Sequence, residues 1–405
     1  MNANSLSKSH DTERGPDPRE SFRRFPSWVQ PAITFISGKP LSGSRPLVIF
    51  SPVGALAYDY AKYFIGILGA AAAFNLGGAW LLTVPLFWLA TVNGARALAS
   101  DAHYAGHAAL TFKQRWDHIL GNLISLSIIS ANMEDYAHRH NHDHHGKTGI
   151  CTTEDPDIAM IGLMGFELGR KESYYLPRLM LTLISPRYHL LSFFFRMKTT
   201  FVTAPVWRMV VAVLGAATIA AVTYATNGFE TLLVAWLLPV LPGFALSSAL
   251  QFPSEHNWLA PRGKEEPYRD YVMRASWGRF FLIEAPQPGL GVVGGGLAWT
   301  AWAIRMIPHL LARSSVCVVT LPAHDFHHRF ARREDWPMAL YLRQAEQDQG
   351  IHYVDYYGLG APMRKVFRNW STLAPETLGK PSTCLALAES VLARFRRRSL
   401  EVQSQ

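Results

Sequence analysis

Cysteine is nearly absent: Cys151, Cys317 and Cys384 are the only three in 405 residues. An odd, widely spaced set cannot build a complete disulfide framework, so the chemistry must rest on other side chains. Charge is thin as well. Asp, Glu, Lys and Arg make up 17% of the chain while 49% is hydrophobic, a balance too apolar for an ordinary soluble domain of this length. No apolar signal core interrupts residues 1–45, which are polar and contain proline. Acids are outnumbered there by Arg14, Arg19, Arg23, Arg24, Lys39 and Arg45. This stretch reads as a flexible, basic cytosolic lead-in able to rest on a membrane through Phe22, Phe25 and Trp28. The net charge of +9 fits an anionic bilayer surface better than nucleic acid, because it accompanies long apolar runs.

The run 63–92 carries no charge, and about twenty residues suffice for one helical crossing. Two spans, 54–74 and 79–99, fit it best, with Asn75-Leu76-Gly77-Gly78 as the turn. The alternative is one long span plus an interfacial segment. Asp59 and Lys62 would share a face of the first helix and could pair. Two further apolar runs, 209–226 and 231–250, flank Asn227-Gly228 and predict a second hairpin. The pieces 176–184 and 188–197 are short and interrupted, as suits surface-lying helices. Residues 289–321 offer further membrane segments: a glycine-rich start at 289–304, then a second short crossing over 306–321. The expected architecture is all-α and integral to the membrane, with four or more transmembrane helices under a cytosolic helical cap. The domains expected are the lead-in 1–45, a membrane-embedded catalytic domain 46–335 and a cytosolic tail 336–405. Basic ends such as Arg394–Arg398 favour the cytoplasmic face of an inner membrane.

Histidine is what the chain has in excess. His103 and His107 stand four apart, on one helix face. The segment 138–145 holds five histidines in eight residues; among them His140, His144 and His145 give the spacing HxxxHH. On a regular helix, 140 and 144 align and 145 lies about 100° further round. His138 and His142 are either further ligands or hydrogen-bond partners. A third group, His324, His327 and His328, has the spacing HxxHH, and His256 follows the fourth expected span. Paired crossings bring all four groups to one face. The scattered His10, His118, His189, His309 and His352 read as structural or exposed.

Neutral imidazoles suit iron, copper and zinc alike. Eight or nine of them exceed one zinc tetrahedron and match two metals with four or five nitrogens each and positions left open, which favours iron.

HYAGH, HNHDHH and HDFHH resemble the three histidine boxes of the membrane fatty acid desaturase and hydroxylase superfamily, over about residues 50–335. The resemblance implies two iron ions, with O₂ as co-substrate, held by His103, His107, His140, His144, His145, His324, His327 and His328; His256 resembles the additional histidine after the last hairpin. It also implies an electron donor such as a ferredoxin, a rubredoxin or a cytochrome b5 type carrier, and a lipid or acyl substrate. Thr153-Glu154-Asp155-Pro156 and Glu255-His256 are similar to stretches of membrane alkane hydroxylases. Tyr104 departs from the acidic residue usual there. The expectation is a fatty acid desaturase acting on an acyl-lipid, acyl-CoA or acyl-carrier-protein, with an alkane or fatty-acid hydroxylase as the alternative. An acyl decarboxylase, an acetylenase or a non-catalytic metal-binding membrane protein stands behind these.

Carboxylates near the boxes are candidates to accept an imidazole N–H and fix its tautomer: Asp101, Asp143, Glu255 and Asp325, together with Glu154 and Asp155. Arg139, Lys147, Arg329 and Arg332 could receive an acidic carrier or an acyl head group. Trp80, Trp88, Phe87 and Phe74 are candidate channel walls.

Overall fold

The computed structural model describes residues 17–146 and 149–378. His10, Arg14, Lys147, Cys384 and the Arg394–Arg398 run lie outside the described residues. The chain is overwhelmingly helical. After α1 (Gln30–Ser37) comes α2 (Pro52–Leu76), started by the Ser51 side chain, which accepts from the Gly54 amide. Gly77, with φ +66°, ends α2 and turns the chain. One tight helical stretch, Gly78–Thr83, leads into α3 (Val84–Gly106). α2 and α3 pack closely because Gly66 and Gly94 present no side chain; a Cβ on Gly94 would meet the Tyr63 backbone at 2.6 Å. α4 (Gln114–Ser127) and α5 (Met133–His138) follow, then α6 (Glu172–Ile184) and α7 (Pro186–Phe201). α8 (Val206–Ala225) and the long α9 (Phe229–Glu255) form a hairpin at Asn227-Gly228. α9 is widened over Leu233–Leu237 and again over Pro239–Gly243, where two prolines remove backbone donors.

Among the described residues three helices are long and apolar enough to cross a membrane: Gly78–Gly106, Val206–Ala225 and Phe229–Glu255. These contain three of the expected spans. The fourth, 54–74, lies in α2, which is not among them: Asp59 and Lys62 interrupt it and pair at 2.7 Å. The segment 289–321 also differs from expectation. It forms one continuous helix, α11 (Gly291–Ser315), which runs through Pro308 rather than breaking into two crossings.

The remainder builds a cap. α10 (Tyr268–Ala275), strand β1 (Gly278–Phe280), α12 (His324–Arg329), α13 (Ala339–Asp348), strand β2 (Asp355–Tyr357) and α14 (Gly360–Thr372) belong to it. β1 and β2 pair in parallel, Gly278 opposite Asp355. The largest apolar core joins Trp258 and Trp277 to Phe367 and Trp370 of α14. Residues 336–378 are thus part of the cap, not a separate tail, because they supply these rings and one of its two strands. Residues 17–45 are no loose lead-in either. Arg19 is fully buried and donates to the Lys39 carbonyl and to Gln30 Oε1, while Phe22 packs on Trp302. Of the three proposed membrane anchors, only Trp28 is fully open.

Candidate metal centre

Four segments deliver the histidines. The last turn of α3 carries His103, and His107 closes the helix; the next residue, Ala108, takes φ +54° and swings the chain away. α5 continues into a wide turn, Arg139–His144, in which the His145 amide donates to the His140 carbonyl, five residues back, at 2.9 Å. Such π-helical turns are frequent at functional sites. The extra residue in this one brings both neighbours round: the His140 ring lies 5.1 Å from that of His144 and 4.6 Å from that of His145. The rings of His144 and His145 stay 5.4 Å apart and nearly perpendicular. His256 ends α9, and α12 supplies His324, His327 and His328.

All nine expected histidines come together. His103, His107, His140 and His327 form one set whose ligand atoms lie within 4.8 Å of one another, and His144, His256, His324 and His328 form a second. His145 lies between them, its Nε2 3.3 Å from that of His327 and its ring stacked 4.5 Å from that of His328. Facing Nε2 atoms stand 2.7 Å apart for His103 and His327, 3.1 Å for His328 and His324, and 3.2 Å for His328 and His256. Two nitrogens bound at right angles to one ion, each about 2.1 Å from it, would be about 3 Å apart. The buried Nε2 atoms of His107 and His140 have no hydrogen-bond partner among the described residues. These residues fit metal ions, and an all-imidazole set leaves redox metals such as iron available.

Electrostatics keep the rings in the form that binds metal. Burial pushes His107 down to about 4 and lowers His140, His145, His324, His327 and His328 well below the usual imidazole range. His144 alone goes up: burial opposes its charge, but the hydrogen bond and charge of Asp155 outweigh it.

Partners beyond the cluster set ring orientation. His144 Nδ1 donates to Asp155 Oδ2 at 2.8 Å, and the same oxygen accepts from the Cys151 amide at 2.8 Å. His103 Nδ1 lies 2.7 Å from the Tyr136 hydroxyl. Tyr136 was not anticipated; it stands four residues before His140, a spacing that places it on the same face. Asn141, between two histidines, instead ties the boxes together by donating to the Gly106 carbonyl at 2.8 Å.

Three of the four principal carboxylate candidates make no hydrogen bond to an imidazole among the described residues. Asp101 is buried beside Asp59 and makes no hydrogen bond to a histidine among the described residues. Asp143 is exposed, as is Glu154. Asp325 points away from the rings and forms a two-point ion pair with Arg343, at 2.6 and 2.8 Å. Glu255 does reach an imidazole, lying 3.4 Å from His324, but on the Nε2 side that faces the cluster. His138 and His142 are exposed and stack on each other at 4.9 Å, outside both sets. His118 pairs with Glu134 and His189 contacts the Leu183 carbonyl, both away from the cluster. Arg329 is not free for a partner, since Glu346 and Tyr353 hold it.

A cavity of about 230 Å³ opens against the histidines. Tyr104, Ile128, Met133 and Tyr136 give it apolar walls. None of Trp80, Trp88, Phe87 and Phe74 lines it; Trp88, for one, donates to the Val234 carbonyl in the helix packing.

The fatty acid desaturase family model matches residues 78–286, just over half of the chain, and so takes in the first two histidine groups and His256 but not the third. No curated protein matches the chain. By that match the chain belongs to the fatty acid desaturase family, whose members are membrane di-iron oxidoreductases.

Proposed function

We propose that the chain is an O₂-dependent di-iron enzyme that introduces a double bond into a long acyl chain carried by a lipid, coenzyme A or acyl-carrier protein. One observation carries this reading: eight imidazoles from four distant segments converge as two neighbouring sets of four, with His145 between them, in a chain of this family. Two iron ions held there would supply removal of hydrogen from an unactivated methylene, with O₂ as oxidant, which no side chain can perform. The sets would be His103, His107, His140 and His327 for one ion and His144, His256, His324 and His328 for the other, with His145 between. Asp155 and Tyr136 fix ring orientation from outside. The cavity walls present the chain to the cluster and limit access of water. Overall, two hydrogens leave adjacent carbons and O₂ is reduced to two waters, with two electrons from a ferredoxin, rubredoxin or cytochrome b5 type donor and two protons from solvent.

α2 completes a fourth crossing in this reading. Its Asp59 and Lys62 neutralise each other at 2.7 Å, which lowers the cost of placing them in a membrane. Two hairpins then leave the cap and the histidines on one side, the cytoplasmic face. A second reading, hydroxylation, is favoured by the alkane-hydroxylase-like stretch 153–156, because Asp155 within it holds His144. The test is to feed acyl and alkane substrates to the purified, reduced, iron-loaded protein and weigh the products. An alkene supports desaturation, an alcohol supports hydroxylation, and iron binding without O₂ consumption would overturn both.

A further inference from the structure

The cavity beside the histidines is polar at one end, and there a buried cation has no ion-pair partner within 4 Å among the described residues. Arg96 lies on α3 seven residues before His103, which is two helical turns, or about 10 Å, along the same face. Ser100 and Ala99 line the cavity between them. The Arg96 residue is only 8% exposed, yet it forms no ion pair within 4 Å among the described residues. Among the described residues its one hydrogen bond goes to the Ser248 hydroxyl at 3.2 Å, its Nε has no acceptor, and its face lies over the Phe244 ring.

Other buried arginines nearby are better satisfied. Arg196 donates to the Ile128, Ile129 and Val240 carbonyls, and Arg313 to those of Phe35, Cys317 and Val319. The acid nearest in function, Glu255, is already engaged by Arg279 at 3.3 Å and Gln251 at 2.7 Å. Gln251 also lines the cavity, and its Oε1 is buried without a donor. A buried guanidinium without a counter-charge is costly to leave so, and its planar fork is suited to a carboxylate.

We infer that Arg96 is the binding site for the substrate's carboxyl oxygens. The substrate class is then a free fatty acid, or an acyl compound whose carbonyl oxygen can take the same place, with the oxidised carbon about 10 Å along the chain from its carboxyl end. This rests on the proposed reading of the centre as an acyl-oxidising site and names the substrate's orientation within it. Carboxyl oxygens would accept from Arg96, and a protonated head or an amide would also satisfy Gln251.

The full-length, detergent-purified protein is titrated calorimetrically with dodecanoate, dodecan-1-ol and methyl dodecanoate, without reductant. Dodecanoate is expected to bind about tenfold more tightly than the alcohol, as a charge-assisted bond implies. In Arg96→Gln that ratio should fall to near one, with the thermal midpoint and iron content kept. Arg96→Lys, which keeps the charge but loses the fork, should give an intermediate ratio and serves if the glutamine variant fails to fold. The ester distinguishes the two ligand sources: a preference for it over the alcohol assigns the site to the acyl carbonyl, and no preference assigns it to the free acid. Equal binding of acid and alcohol by the wild type overturns the inference, as does wild-type discrimination in either variant. No turnover is read, so an enzyme that oxidises no acyl chain would sink the proposed reaction while leaving this result interpretable.

Discussion

Asp155 Oδ2 sits 2.8 Å from His144 Nδ1, and both side chains are almost wholly enclosed. The other carboxylate oxygen accepts from the Asp157 amide at 3.0 Å, so the group is locked before any ion arrives. Asp155→Asn keeps the shape and removes the charge. Iron affinity is expected to fall about 10- to 100-fold, as for other outer partners of metal-bound histidine. Competition against a chelator measures it, and an unchanged affinity would mean that His144 is oriented by something else.

The histidine cluster makes the metal-free protein acid-sensitive. Free imidazoles titrate at about 6.5, whereas burial holds His107 at about 4 and strongly depresses His140, His145, His256, His324, His327 and His328. Across that window the unfolded chain takes up protons that the folded chain refuses. Stability is therefore intact above the unfolded value and declines as pH falls toward the folded ones. Each such ring contributes a slope of up to about 1.4 kcal/mol per pH unit. His144, raised by Asp155, acts in the opposite sense and offsets one ring. Thermal midpoints of the metal-free protein should drop steeply between pH 7 and 5, and bound iron should move that drop to lower pH. A flat profile would show that the rings are not held neutral.

Arg343 is 1% exposed and spans Asp325 of the third box and Asp355 of β2, at 2.6 and 2.7 Å. Burial alone would raise Asp355, but Arg343 and Lys39 outweigh it and hold the carboxyl well below the usual range. Arg343→Leu leaves Asp325 enclosed without its counter-charge, while Asp355 keeps Lys39 at 2.7 Å. A loss of about 3–5 kcal/mol is expected, measured by denaturant unfolding in detergent. Asp325→Asn in the same background should recover part of it.

The site was legible because its signal is compositional: clustered histidines at helical spacing need no tertiary knowledge to be noticed. The runs 209–226 and 231–250, which fall on the helices Val206–Ala225 and Phe229–Glu255, were visible for the same reason, being apolar and nearly uninterrupted. Sequence proximity failed for carboxylates. Asp325 adjoins His324, yet successive helical residues point about 100° apart, so Asp325 meets Arg343 instead. The cap was hidden because its strands have three residues each, too short for an alternating pattern. Its core also joins Trp258 to Trp370, far apart in the chain. Phe22 on Trp302 is another contact without periodicity.

The wide turn at 139–144 brings His140, His144 and His145 together through backbone bonding that reaches five residues back. Residue count inside that loop therefore matters more than residue identity at its outer positions. His138, His142 and Asp143 face solvent and are free to drift in composition. Removing any one residue between 140 and 144 would let the segment relax into a tighter helix and rotate a ring out of register. Insertions and deletions, rather than substitutions, are the changes to which this stretch is most vulnerable.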